Sequence, residues 1–225
     1  MGAMKIILFG ATGMVGQGAL RECLLDPEVE KVLAVGRRAT AQRHDKLREI
    51  VHKDFLDFSA IEDELAGYDA CLFALGVSSA GMSEADYHRV TYDVTMAVAS
   101  ALVRRNPALT LVYVSGAHTD GTERGRVMWA RVKGKTENAL LRMPFKGAYM
   151  FRPAAIQPLH GIRSRTTSYR IAYTIMSPLL PLLRRLFPQY ITTTEKLGRA
   201  MIAVAKHGAP KQVLESKDIN ELVTE

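Results

Sequence analysis

The chain has 225 residues, 48% hydrophobic and 24% charged. That length and balance favour one domain with a sizeable core and exclude a disordered tail or a collagen-like repeat. Cys23 and Cys71 are too few for a disulfide framework or a four-cysteine zinc site. Lys and Arg number 30 against 23 Asp and Glu, a net charge of +7; scattered pairs such as Arg37-Arg38 and Arg104-Arg105 suit attraction of a small anionic ligand better than a nucleic-acid footprint.

In chain order, residues 5–9 (KIILF) form a continuous apolar run, the pattern of a strand buried on both faces. A helix over 14–25 follows and is stopped by Pro27. Residues 31–35 and 50–52 predict the second and third strands, 60–66 a short helix ended by Gly67, and 70–74 the fourth strand. Ser83, with Asp86 three residues on, caps a long helix reaching about Arg105. Residues 109–115 predict the fifth strand, 127–143 a helix and 147–151 the sixth strand. Strands separated by helices in this order imply an α/β fold: a doubly wound parallel sheet, a Rossmann fold. From Ala154 prolines multiply and the segments read as mainly helical, with a short strand at 213–215. The expected organisation is a core over 1–155 and a small, mainly helical C-terminal lobe over 156–225, a substrate or lid segment packed on the same domain. Residues 169–187 are the most apolar later stretch. Arg170, Pro178, Pro181, Arg184 and Arg185 interrupt it, which favours an amphipathic helix over a membrane span.

The richest motif joins the first strand to the first helix: Gly10, Ala11, Thr12, Gly13, Met14, Val15, Gly16. Glycines at this spacing permit a tight turn, bring backbone N–H groups to a pyrophosphate and let the helix pack against the strand. At the end of the second strand, where NAD-selective sites place an acid for the ribose hydroxyls, stand Arg37 and Arg38. Their guanidiniums suit a 2′-phosphate, so NADP(H) is expected in preference to NAD(H). After the third strand come Asp54 and Phe55; Asp54 is placed either to accept from an adenine amino group or to cap the next turn. Ala74, Leu75 and Gly76 form a small-residue exit from the fourth strand that lets the chain run close to the ribose and nicotinamide.

These motifs, with YVSGAH (113–118), RVKGKTE (131–137) and FRPAAIQP (151–158), make the chain resemble the atypical short-chain dehydrogenase/reductases of the NAD(P)-binding Rossmann superfamily, near the Tat-interacting oxidoreductase-like and NmrA-like proteins. The resemblance implies a Ser–Tyr–Lys site in which Tyr exchanges a proton with the carbonyl or hydroxyl, Lys lowers its pKa and Ser polarises the oxygen. It assigns the Ser to Ser115 and the Lys to Lys133, which would also bind the nicotinamide ribose, with Pro153 through Ile156 covering the nicotinamide. Four residues before Lys133 stands Trp129 in place of Tyr. An indole N–H only donates and cannot shuttle a proton, so cofactor binding survives the replacement while ordinary carbonyl chemistry is put in question. His118 is open to two readings, a proton carrier or a surface residue.

Two functions follow. One is an NADPH-dependent oxidoreductase passing hydride to or from a small organic substrate; the other is an NADP(H)-sensing regulatory or interaction protein of reduced activity. The helix ending near Arg105 offers a stripe for core packing or for a homodimer. No histidine pair has metal-ligand spacing, and neither a metal nor a nucleic-acid partner is expected. The opening residues lack the pattern of a secretory leader, and a cytoplasmic location is expected.

Overall fold

The computed structural model describes residues 3–162 and 189–223. The apolar stretch at 169–187, with Tyr169 and Tyr173, lies outside them. The first strand, β1 (Met4–Phe9), is apolar on both faces because both are covered. Ile6 and Leu8 enter one core cluster and Ile7 and Phe9 the other, each fully buried. Burial of such a side chain stabilises the fold by about 1.5–3 kcal/mol. Around β1 the chain builds a parallel sheet from β2 (Val29–Gly36), β3 (Leu47–Val51), β4 (Ala70–Phe73), β5 (Thr110–Val114), β6 (Gly147–Arg152) and β9 (Val213–Glu215). Their order is β3-β2-β1-β4-β5-β6-β9. The direction of build-up reverses between β1 and β4, so a crevice opens beyond Phe9 and Phe73, where ligands bind in sheets of this kind.

Helices cover both faces. One cluster lies under α1 (Met14–Leu25) and α5 (Thr194–His207); the other lies under α3 (Val94–Arg105) and α4 (Met128–Leu141). Ser83 caps α2 (Glu84–His88) as its sequence predicts: its Oγ accepts from Asp86 N at 3.1 Å. A π-helical turn, Arg89–Asp93, joins α2 to α3. The short helix expected at 60–66 is a 3₁₀ helix, Ser59–Leu65.

Several strands differ from the sequence reading, β2 by starting at Val29 rather than residue 31. β3 begins at Leu47, earlier than residue 50; Arg48 and Glu49 on this edge strand interrupt the apolar run from which its start was read. A separate two-stranded parallel ribbon, β7 (Ala155–Gln157) with β8 (Ile191–Thr193), was not anticipated. The C-terminal stretch is built into the same sheet: β9 pairs with β6, and α6 (Ser216–Glu221) follows it. Gly18 and Gly198 let α1 and α5 approach closely; a Cβ on Gly198 would lie 2.9 Å from Glu22 Cγ and 3.0 Å from Gly18 O. Cys23 and Cys71 are buried free thiols in different clusters.

Candidate functional site

The turn after β1 is folded by its own glycines. Gly10 has φ +87°, and a Cβ there would lie 2.5 Å from Ala74 O, so the exit of β4 runs directly against it. A Cβ on Gly16 would meet Gly10 O at 2.0 Å. Gly16 therefore packs the start of the helix directly against the turn, as the glycine spacing implies. Gly13 is the N-cap of α1. No side chain caps it and no acid lies in the first turn, which leaves the helix's amide end facing the crevice.

Two adjoining cavities share this turn. One, of about 380 Å³, is lined by Gly10, Thr12, Arg37, Arg38, Thr40, Glu49, Phe55 and Leu75 among others. Arg37 and Arg38 are exposed, and among the described residues neither makes an ion pair. Glu49, from β3, reaches the same cavity, where its Oε1 accepts from Thr40 N at 2.6 Å and holds the loop after the arginines. The other cavity, of about 400 Å³, runs from Gly13, Met14 and Val15 past Ala74, Leu75 and Gly76 to Ser115, Lys133, Pro153 and Ile156. Asp54 lines neither cavity. It is exposed and its Oδ1 accepts from Leu56 N at 2.9 Å, so it caps the turn, and its neighbour Phe55 alone reaches the cavity.

At the far end α4 delivers Lys133. Gly134 permits this: a Cβ there would fall 1.7 Å from Asp120 O, so the helix lies directly on the loop that follows β5. Asp120 ties that loop, accepting from Thr122 N at 2.9 Å and Gly125 N at 2.6 Å. Lys133 Nζ donates to the backbone oxygen of Ser115. Burial pushes the ammonium down from the ordinary 10.5 to about 8, against the opposing pull of Glu137.

Ser115 does not offer its proton to the crevice as the resemblance implies. Its Oγ donates to Glu137 Oε1 at 2.5 Å and lies 3.2 Å from Phe151 O. Glu137, only 1% exposed, is held in turn by Arg152, whose Nη2 donates to Oε2 at 2.5 Å and Nε to Oε1 at 3.0 Å. Glu137 is the site residue that the sequence reading missed. The one trace of it in the sequence was its spacing, one helical turn beyond Lys133 on the same face; its burial and its partners come from other parts of the chain. Trp129 is half-buried and lines neither cavity. His118 is exposed with φ +65° and also lies outside both cavities.

The residues present fit a dinucleotide: a side-chain-free helix terminus at the turn, unpaired arginines at one end of the crevice and a lysine at the other. Among the described residues no helix is long and apolar enough to cross a membrane.

Comparison with known proteins agrees with this architecture. The chain is 26% identical over 230 residues to the Saccharomyces cerevisiae protein FMP52, mitochondrial, covering 97% of this chain and 96% of the relative. It is 24% identical over 212 residues to the Meyerozyma guilliermondii protein of the same name, covering 90% and 85%. These names overturn the expected cytoplasmic location, since the relatives are designated mitochondrial; cysteine content and an unremarkable N-terminal sequence were insufficient grounds for it.

Among solved structures, the Bordetella bronchiseptica enzyme WbmF in complex with NAD+ superposes with TM-score 0.69 at 14% identity, over 98% of this chain and 77% of that one. The nucleoside-diphosphate-sugar epimerase from Agrobacterium tumefaciens does so with TM-score 0.69 at 17% identity, over 96% and 74%. The pattern of the NAD dependent epimerase/dehydratase family matches residues 6–149, which span the glycine turn, the arginine pair, Ser115 and Lys133. The chain belongs to the NAD dependent epimerase/dehydratase family.

Proposed function

We propose that this protein is an NADP(H)-dependent oxidoreductase acting on a small organic substrate, in the part of its superfamily that holds the Tat-interacting oxidoreductase-like and NmrA-like proteins. The observation that carries the reading is the continuous crevice from Arg37 and Arg38, past the uncapped start of α1, to Lys133. In this reading the arginines hold the 2′-phosphate, the α1 amides hold the pyrophosphate, and Pro153 and Ile156 flank the nicotinamide. A nicotinamide bound there supplies or accepts a hydride at its ring C4. Lys133 holds the nicotinamide ribose. With Trp129 lining neither cavity and the Ser115 proton given to Glu137, Lys133 is, among the described residues of the crevice, also the group placed to exchange a proton near neutral pH in this reading.

The test is calorimetric titration with NADPH, NADP+ and NADH of the wild type and of the Arg37→Ala/Arg38→Ala variant. NADPH is expected to bind more tightly than NADH. The double variant should lose about tenfold to a hundredfold of NADPH affinity, the value of one or two charge-assisted hydrogen bonds, with little change for NADH. Equal binding of NADPH and NADH, unmoved by the substitutions, would refute the preference. Trp129 at the position of the catalytic Tyr favours a second reading, a cofactor-sensing protein of reduced activity. Cofactor binding without consumption of NADPH across a library of aldehydes, ketones and enones would select that reading.

A further inference from the structure

Ser115 is gripped from both ends by one helix. Its hydroxyl donates to Glu137 and its backbone oxygen accepts from Lys133, and these two side chains are successive residues on one face of α4. Arg152, from β6, closes the far side of Glu137 with two nitrogens and reaches on to Glu215 of β9 at 3.4 Å. Glu137 lines neither cavity, so it would act on a bound molecule only through its neighbours. A serine hydroxyl has one proton. With that proton directed at a buried carboxylate, Ser115 is left as an acceptor toward anything seated against it.

We propose that Glu137 is the positioning residue of this site: it fixes the Ser115 hydroxyl as an acceptor toward the crevice and sustains the positive charge of Lys133 there. The inference rests on the proposed dinucleotide crevice only for what Lys133 contacts; the effect on Lys133 itself is independent of that reading. The charged group that acts on Lys133 is Glu137 on its own helix; Arg37, from the end of β2, lines the same cavity, and Arg152 of β6 engages Glu137 and Glu215 of β9. Glu84 and His88 of α2 are engaged by Arg131 and Lys135, on the opposite side of α4. Removing the Glu137 charge takes away the pull that opposes burial and so disfavours a charged Lys133.

The experiment follows the Lys133 side chain by NMR in protein labelled with 13C-lysine, the resonance assigned with Lys133→Arg, in the wild type and in Glu137→Gln. NADPH affinity is measured against pH in parallel. The Lys133 titration is expected to move to lower pH in Glu137→Gln, and the alkaline loss of NADPH affinity to move with it. A residue that merely holds the fold would lower Tm and leave the titration in place, and an unmoved titration overturns the proposal. Should Glu137→Gln fail to fold, Glu137→Asp keeps the charge but draws it back by one methylene; a smaller shift in the same direction is expected, and none would again overturn it. If Lys133 shifts but no variant binds NADPH, the positioning role stands and the dinucleotide reading fails.

Discussion

Lys133 carries a cost in stability that its position requires. Its folded pKa lies below its unfolded one, so below about pH 8 the folded protein bears the full penalty of enclosing the ammonium. Between about 8 and 10.5 the folded chain releases this proton while the unfolded chain still holds it, and the penalty fades as pH rises. Lys133→Met is therefore expected to raise Tm at pH 7, by a margin that shrinks toward pH 10.5, while weakening NADPH binding. Scanning calorimetry at the two pH values, paired with NADPH titration, checks this; a lower Tm at pH 7 would contradict it. The residue would then be one where function is bought with stability.

At the scale of elements, the site depends on how closely α4 lies on the loop after β5. Gly134 faces a backbone oxygen that no side-chain rearrangement can move aside. Gly134→Ala is expected to cost about 3 kcal/mol, since the overpacking falls on main chain, and to lower Tm by roughly 6–12 °C. Gly76, where a Cβ meets nothing within 4 Å, is the matched control, and Gly76→Ala should leave Tm within about 2 °C. The arrangement also explains the RVKGKTE motif: Lys133 and Glu137 address Ser115, and the glycine between them lets the helix come near enough for both to reach.

Across the whole molecule, the C-terminal stretch positions a loop that lies at the crevice. Ser216, 4% exposed at the start of α6, accepts from Ala154 N at 2.7 Å through its Oγ, while β9 pairs with β6 just before that loop. Ser216→Ala leaves a partly buried N–H without its acceptor, at a cost of about 1–3 kcal/mol. The variant is expected to bind NADPH more weakly although Ser216 lines neither cavity. Titration of NADPH with the variant, beside its Tm, separates the two effects: a fall in Tm with unchanged affinity would show that the loop holds its shape without the anchor.

The periodic runs of apolar residues, the glycine turn and the cap at Ser83 determined the parallel sheet, its helices and the place of the crevice, because each is a local pattern tied to backbone geometry. The arginine pair and Lys133 were legible for the same reason: each stands at a fixed offset from a strand or along a helix. Glu137 was not, because its importance comes from Ser115 and Arg152, brought to it across 22 and 15 residues of chain. Asp54 could cap or bind on sequence grounds, and the turn shows it capping through one carboxylate oxygen. Trp129 occupied the right position in the motif, yet helical spacing from Lys133 did not establish that both side chains reach one cavity. The extra ribbon joins residues 155–157 to 191–193, a pairing that no local pattern announces. The sequence by itself determined the main strands and helices of the sheet and where the crevice opens; only the tertiary structure decided the extra ribbon and which hydroxyl, carboxylate and ammonium meet at the site, because those contacts depend on distances between elements far apart in the chain.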